Sequence, residues 1–327
     1  MNAGLSRYDG QSLTLVVNPQ AGRGHARRML PFVCAEILKG MPGASLKVYQ
    51  TTSYREARQR TIAAVAAARP AHEGAPADGL LVMGGDGMMH LGVNACADTD
   101  VPLGLIPAGS GNDMSRGFGL PAVNPIQAAK IIATGGRRRV DLLRVSGPLA
   151  DGAETRYVGT VVATGFDARV NRRANRMRLP LGSLRYAAAV IAEIATFEPT
   201  PYRISIDGRE RTEPALLVAV GNAGYYGGGI HINTTHDVTD GRLDVTVIHP
   251  VSRATLIRLM PALFTGAFAS DPSVEQLKAT SVRIDGDGLI AYGDGEELGD
   301  VPLQIEIAPQ VLSIFAPVSD QVVRTRR

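Results

Sequence analysis

The stretch Gly79-Leu80-Leu81-Val82-Met83-Gly84-Gly85-Asp86-Gly87 decides the fold. Its apolar run has no polar alternation, so it reads as a strand buried on both faces. Such strands belong to parallel sheets covered by helices. The run stops at two glycines and an aspartate, and residues 88–97 then show helical spacing. A strand that turns at glycine into a helix leaves backbone N–H groups at the carboxyl edge of the sheet. That edge is where open α/β sheets hold ligands.

Outward from this stretch the same unit recurs. Leu13-Thr14-Leu15-Val16-Val17 is an apolar run that ends at Asn18-Pro19, and Met29, Leu30, Val33 and Ile37 then share one helical face over 23–39. Residues 46–49 are a second predicted strand and 54–69 an alanine-rich helix. Pro102-Leu103-Gly104-Leu105-Ile106 is a further strand, ending in Pro107-Ala108-Gly109-Ser110-Gly111-Asn112-Asp113. Alternating strands and helices with short loops predict a parallel α/β domain over residues 1–141. Past Asp141 the period becomes two, at 157–163, 202–206, 215–220, 243–248 and 303–307, with shorter runs at 282–284 and 312–315. Asp207-Gly208 and Asp240-Gly241 supply turns. A β-rich domain is therefore expected over 142–327, interrupted by helices near 184–197 and 253–264.

Hydrophobic residues make up 45% of the 327, enough for two cores and against global disorder. A formal charge of +3 is too small to argue for nucleic acid. Cys34 and Cys96 lie in apolar stretches and form no disulfide framework, so buried free thiols in a reducing compartment are expected. The first apolar run is too short for a signal core, and no segment approaches the roughly 18 apolar residues of a spanning helix. The expected location is the cytoplasm, with any membrane contact made peripherally.

Three glycine-rich turns follow buried strands: Asn18-Pro19-Gln20-Ala21-Gly22-Arg23-Gly24, Gly84 to Gly87, and Pro107 to Asp113. Glycine lets the backbone approach phosphate oxygens closely. One such turn is often only a turn, but a sheet brings three in register together. There is no Gly-Lys-Ser/Thr of a Walker loop, and Gly109-Ser110-Gly111 lacks the third glycine of a dinucleotide fingerprint. Asp86 and Asp113 sit in these turns. A carboxylate beside a polyphosphate repels it unless Mg²⁺ bridges the two, while an Asx-turn or helix cap equally accounts for Asp113.

In order and number these motifs resemble the diacylglycerol kinase catalytic family, which includes bacterial lipid kinases and sphingosine kinases. The matching stretches are Val17-Asn18-Pro19, Gly84 to Gly87, Ile106 to Asp113 and Val140-Asp141. They continue through Gly165-Phe166-Asp167, Gly182 to Tyr186, Gly227-Gly228-Gly229, Asp240 to Val245 and Asp294-Gly295-Glu296. The resemblance implies a nucleotide-binding α/β domain like that of NAD kinase and phosphofructokinase, a β-rich sandwich domain for lipid, and an active site in the cleft between them. It implies ATP held by Asn18, Pro19, Gln20, Ala21, Gly22, Thr51, Gly84, Gly85, Asp86, Gly87, Met88, Met89, His90, Gly109, Ser110, Gly111 and Asn112. Asp86, Asp113 and Asp141 would surround a catalytic Mg²⁺, partly through water. Asp294 or Glu296 would be the general base. Asp237, Asp240 and the carbonyl of Arg242 match a second, structural Mg²⁺ site. Diacylglycerol at the inner membrane face is the implied acceptor, and bacterial relatives imply a homodimer.

The sequence departs from this pattern at Met88 and Leu91, where the family usually has Thr and Glu, and at Thr234 and His236 before Asp240-Gly241. Alternatives stay open: another lipid acceptor, an NAD kinase sharing Gly-Gly-Asp-Gly, or a non-catalytic regulator. The Gly-Ser-Gly-Asn-Asp loop and the terminal Asp-Gly-Glu argue against NAD kinase. The competing reading of Tyr292 to Glu296 is a plain hairpin turn. A calcium loop over 285–296 fails, with Leu289 at a ligand position and Ile290 at the required glycine. Arg169, Arg172, Arg173, Arg176, Arg178 and Arg185, interleaved with Met177, Leu179 and Leu181, are expected to face membrane or else to form a solvated basic face.

Overall fold

The computed structural model describes Tyr8 and residues 10–71, 76–166, 168–170 and 199–317. Two compact units emerge, one running to Asp141 and resuming at Pro309, the other spanning Leu142–Ala308. The expected second domain, 142–327, is therefore corrected at its C-terminal end. The final strand returns to the first unit because its apolar residues complete that unit's core. Ile314 registers with Leu103, and Phe315 packs among Leu13, Val17 and Leu81.

The first unit contains β1 (Ser12–Val17), α1 (Ala21–Gly40), β2 (Ser45–Gln50), α2 (Tyr54–Ala66), β3 (Gly79–Gly84), α3 (Asp86–Cys96) and β4 (Leu103–Pro107). A short helix α4 (Asp113–Gly117), α5 (Pro125–Thr134) and β5 (Arg137–Ser146) follow, β5 leading into the second unit. The sheet order is β2-β1-β3-β4, with every pair parallel. All of β3 and β4 is buried, as their unbroken apolar runs require. On α1, Ala26, Leu30, Val33 and Ile37 recur at helical spacing and turn inward. α2 begins with the N-cap Ser53 accepting from Glu56 N at 3.2 Å, while Glu56 reaches one residue further back and accepts from Thr52 N at 2.9 Å. Cys96 is buried and its thiol is pushed up by that burial; Cys34 is half-buried, and both are free.

The second unit contains β6 (Thr155–Val158), β7 (Val161–Gly165), β8 (Thr200–Ile206), β9 (Arg209–Ala215), β10 (Leu217–Gly221), β11 (Tyr225–Tyr226) and β12 (Ile230–His231). Then come β13 (Leu243–Ile248), α6 (Arg253–Leu263), β14 (Val274–Ala279), β15 (Ser281–Asp285), β16 (Ile290–Gly293), β17 (Glu296–Asp300) and β18 (Leu303–Phe315). One antiparallel sheet runs β14-β13-β10-β7-β16-β17. A second contains the first half of β18 with β15, β8 and β9. Tyr202, Ile204, Val218, Val245, Val282 and Ile305 join the two in one core, which makes a sandwich. A further apolar cluster is closed by Leu256 and Leu259 of α6.

The alternation expected at 157–163 is two strands, broken at Gly159-Thr160, and the runs at 303–307 and 312–315 are one strand. Asp207-Gly208 forms the expected tight hairpin, with φ of 48° and 80° as a two-residue turn of mirror type demands. The helix expected near 184–197 and the basic residues Arg172 to Arg185 lie outside the described residues.

Asp78 fastens the entrance of the first sheet. Its carboxylate accepts from Ser12 N at 2.7 Å, from Arg69 N at 3.0 Å and from Arg69 Nε at 2.9 Å, and it is 7% exposed. Burial pushes its carboxyl up, but the bonds from Arg69 and Ser12 outweigh this and hold it below the ordinary range. A depressed carboxyl contributes stability at neutral pH that is lost as pH falls below about 4. Asp78→Asn is therefore expected to cost on the order of 1–3 kcal/mol at neutral pH, and the difference from wild type should vanish on acidification. Urea melts at neutral and acidic pH check this; equal stability at neutral pH contradicts it.

Candidate active site

β1 sends its connection toward β2, and β3 sends its own toward β4, so strand order reverses between β1 and β3. At such a switch point the two loops diverge and leave a crevice at the carboxyl edge. The loop after β1 is fixed by Asn18, whose N–H donates to Met83 O at 3.0 Å and whose Oδ1 accepts from Gln20 N at 3.0 Å. Gly22, Arg23 and Gly24 then take left-handed backbone, which costs Arg23 on the order of 1 kcal/mol. A Cβ on Gly22 would come within 2.3 Å of Ala108 O, so glycine is required for this loop to touch the loop after β4.

The loops after β3 and β4 also meet at a glycine. A Cβ on Gly109 would lie 2.5 Å from Gly85 Cα. Ala108 N and Gly109 N both donate to Gly84 O, at 2.7 and 3.1 Å. Asp86, half-buried at the start of α3, accepts from Asn112 N at 2.8 Å and from Met114 N at 3.3 Å. Asn112 sits in the left-handed region at φ 54° and its side chain closes the turn, donating to Gly109 O and Ala122 O and accepting from Gly109 N.

These loops enclose a cleft of about 460 Å³ within the first unit. Of the residues expected to hold ATP, Asn18, Gln20, Ala21, Gly22, Thr51, Gly85, Asp86, Gly87, Met88, Gly109, Ser110 and Gly111 line it. Pro19, Gly84, Met89, His90 and Asn112 do not. The α3 period turns Met89 and His90 into the core, where they are 0% and 1% exposed. Gly84 lies beneath Met88, and Asn112 is used up inside its own turn. Thr52, Ser53, Tyr54 and Ala57 also line the cleft and were missed in the sequence. The signal for them was the Ser53-x-x-Glu56 cap, which puts the start of α2 at the same sheet edge.

Two of the expected metal carboxylates are held by hydrogen-bond donors of the first unit. Asp113 accepts from Arg116 Nη1 at 2.7 Å, and the fully buried Asp141 accepts from Gln310 N at 2.7 Å. Among the described residues no three His, Cys, Asp or Glu side chains converge as direct ligands of one ion. At the second expected site Asp237 accepts from Thr239 N and Oγ1, and Asp240 from Arg242 N. The cation beside Asp240 is the Lys278 ammonium, 2.8 Å away and 3.0 Å from Asp244. Burial works against that ammonium, but bonds to Asp240 and Asp244 raise its pKa. An ammonium in this position repels a divalent ion, so this arrangement does not fit the structural Mg²⁺.

In the second unit Asp294 and Gly295, with φ of 52° and 84°, form the turn between β16 and β17, so the hairpin reading of this motif holds. The Asp294 carboxylate is 5% exposed. It accepts from Gly159 N at 3.0 Å, Thr160 N at 2.9 Å and Thr160 Oγ1 at 2.6 Å, and so fills the strand break between β6 and β7. Glu296 is half-exposed, and its side chain makes no hydrogen bond to the described residues.

The model of the diacylglycerol kinase catalytic domain matches residues 12–145, and that of the YegS C-terminal NAD kinase beta sandwich-like domain matches 160–316. A diacylglycerol kinase of Mycobacterium tuberculosis (strain ATCC 25618 / H37Rv) is 37% identical over 319 residues, covering 97% of this chain and 99% of the relative. A diacylglycerol kinase of Bacillus subtilis (strain 168) is 25% identical, covering 88% and 90%. A crystal structure of a diacylglycerol kinase from Bacillus anthracis str. Sterne shares the fold, with TM-score 0.69 at 22% identity over 94% of this chain and 98% of that one. By sequence over nearly its whole length, the chain belongs to the diacylglycerol kinase family of lipid kinases, phosphotransferases with an alcohol group as acceptor.

Proposed function

We propose that this protein is an ATP- and Mg²⁺-dependent diacylglycerol kinase, which phosphorylates the free hydroxyl of a membrane diacylglycerol to give phosphatidic acid. The observation that carries this reading is the cleft at the β1/β3 switch point, walled by three glycine-rich loops in contact with one another. Its backbone approaches are open to phosphate oxygens, and the N-terminus of α3 adds partial positive charge. Met88 gives an apolar wall where the family usually has a hydroxyl. Ser110, exposed at the cleft, and the backbone amides supply the polar contacts to the nucleotide instead.

Asp86 fits Mg²⁺ at this cleft as a hard oxygen donor, since that ion needs only one or two carboxylates beside phosphate oxygens and water. When bound, the ion neutralises the charge of the transferring phosphoryl group. Asp113 and Asp141, held by Arg116 and Gln310, would complete the carboxylate network through water. Glu296 is the base that takes the proton of the lipid hydroxyl. Asp294 positions it, because three donors occupy the Asp294 oxygens and fix the turn that carries Glu296. Among the described residues no helix is long and apolar enough to cross a membrane. We place the enzyme peripherally at the inner membrane face, as a homodimer.

Label transfer from γ-labelled ATP with Mg²⁺ to diacylglycerol in mixed micelles tests the function. Phosphatidic acid is the expected product; label on sphingosine or ceramide alone would move the acceptor, and label on NAD alone would overturn the lipid reading. Glu296→Gln is expected to lose on the order of 10²–10⁴ in turnover without a change in melting temperature. Asp294→Asn should lower the melting temperature as well, by about 1–3 kcal/mol of stability, because it removes a buried acceptor. Normal turnover in Glu296→Gln would take the base away from this residue.

A further inference from the structure

We propose that the outer face of α6 is a membrane-contact surface that seats the enzyme on anionic lipid. This rests on the reading of a membrane lipid as acceptor, and assigns the contact to particular residues. On the inner side of α6, Leu256 and Leu259 are 7% exposed and pack with Phe268 in the further apolar cluster that includes Ala163 and Ala219 of the sheet running from β14 to β17. On the outer side Ala254, Ile257, Pro261 and Phe264 follow one another at steps of three, four and three, which places them in one stripe. All four are exposed, Ile257 at 58% and Phe264 at 55%. A helix that covers a core ordinarily shows polar residues there, and large apolar side chains left in water at helical spacing point to a surface that covers them.

Charge selects the occupant. From His249 through Ser270 the chain contains no Asp or Glu, while Arg253 and Arg258 border the stripe. Arg258 reaches Asp271 at 2.7 Å, and Arg253 makes no ion pair with the described residues. An apolar stripe bordered by guanidinium groups fits the boundary between acyl chains and anionic headgroups. The long arginine side chains can stay in the headgroup layer while Ile257 and Phe264 enter below it.

The chain contains no tryptophan, so a single one reports its own surroundings. Phe264→Trp and Ile257→Trp are placed in the stripe, and Phe32→Trp on α1, where Phe32 is 62% exposed, serves as reference. Vesicles of phosphatidylcholine with and without phosphatidylglycerol are used, free of diacylglycerol and ATP, so the readout is independent of catalysis. Emission from positions 257 and 264 should shift to the blue on anionic vesicles and be quenched by brominated lipid, while position 32 stays unchanged. The double variant Ile257→Ser with Phe264→Ser should lose roughly ten-fold in partition to vesicles, with unchanged melting and unchanged activity on a dispersed short-chain diacylglycerol. Unshifted emission, or equal partition of the double variant, overturns the proposal. So does loss of a dimer in the double variant with vesicle binding intact, since the stripe would then join two copies of this chain. Insertion without phosphoryl transfer to any lipid would sink the kinase reading and keep the contact.

Discussion

The hydrogen bonds from Asn112 N and Met114 N to the Asp86 carboxylate are the constraint on which the site depends. They tie the turn after β4 to the start of α3, and Gly85 and Gly109 can then lie back to back. Gly22 completes the set by touching Ala108 O from the loop after β1. Three loops that are far apart in sequence become one wall because the parallel sheet aligns their strand ends and because each contact point is a glycine. The same carboxylate lines the cleft, so the group that assembles the loops is also the one we propose as the partner of a cation carried by the nucleotide.

The second unit repeats the device with a different partner. Asp294 occupies a left-handed turn position and spends its carboxylate on Gly159 and Thr160, where the chain breaks between β6 and β7. The break leaves two N–H groups without a strand partner, and a buried N–H must find an acceptor. Asp294 supplies it, and Glu296 thereby projects from a turn whose backbone is held at both ends. Lys278 plays a comparable part between Asp240 and Asp244, supplying as a side chain the positive charge that the motif seemed to reserve for a metal.

Much of this was legible from residue order. The strands of the first unit stand out because burial on both faces leaves them continuously apolar, and the glycine loops follow directly from where those runs stop. α5 was passed over although Asn124, Pro125 and Gly135 mark its two ends, because its apolar residues lie between two better-marked motifs. The return of β18 to the first unit could not be read locally. The mixed burial of 303–307 gives way past Pro309 to the fully buried Leu312-Ser313-Ile314-Phe315, a run too short to name the sheet it joins. Within the site, the glycines and Asp86 were legible by type and spacing. Met89 and His90 were misplaced because a motif names consecutive residues, while a helix turns successive side chains by a third of a circle. The commitment of Asp294 to Gly159 and Thr160 spans more than a hundred residues and leaves no trace in the local sequence.

The central claim is that the three contacting loops of the first unit hold the nucleotide. Hydrogen–deuterium exchange with and without ATP and Mg²⁺ tests it most directly. The account predicts slowed exchange in the peptides covering 18–24, 84–89 and 108–114. Protection that falls elsewhere, with all three peptides unchanged, would contradict it.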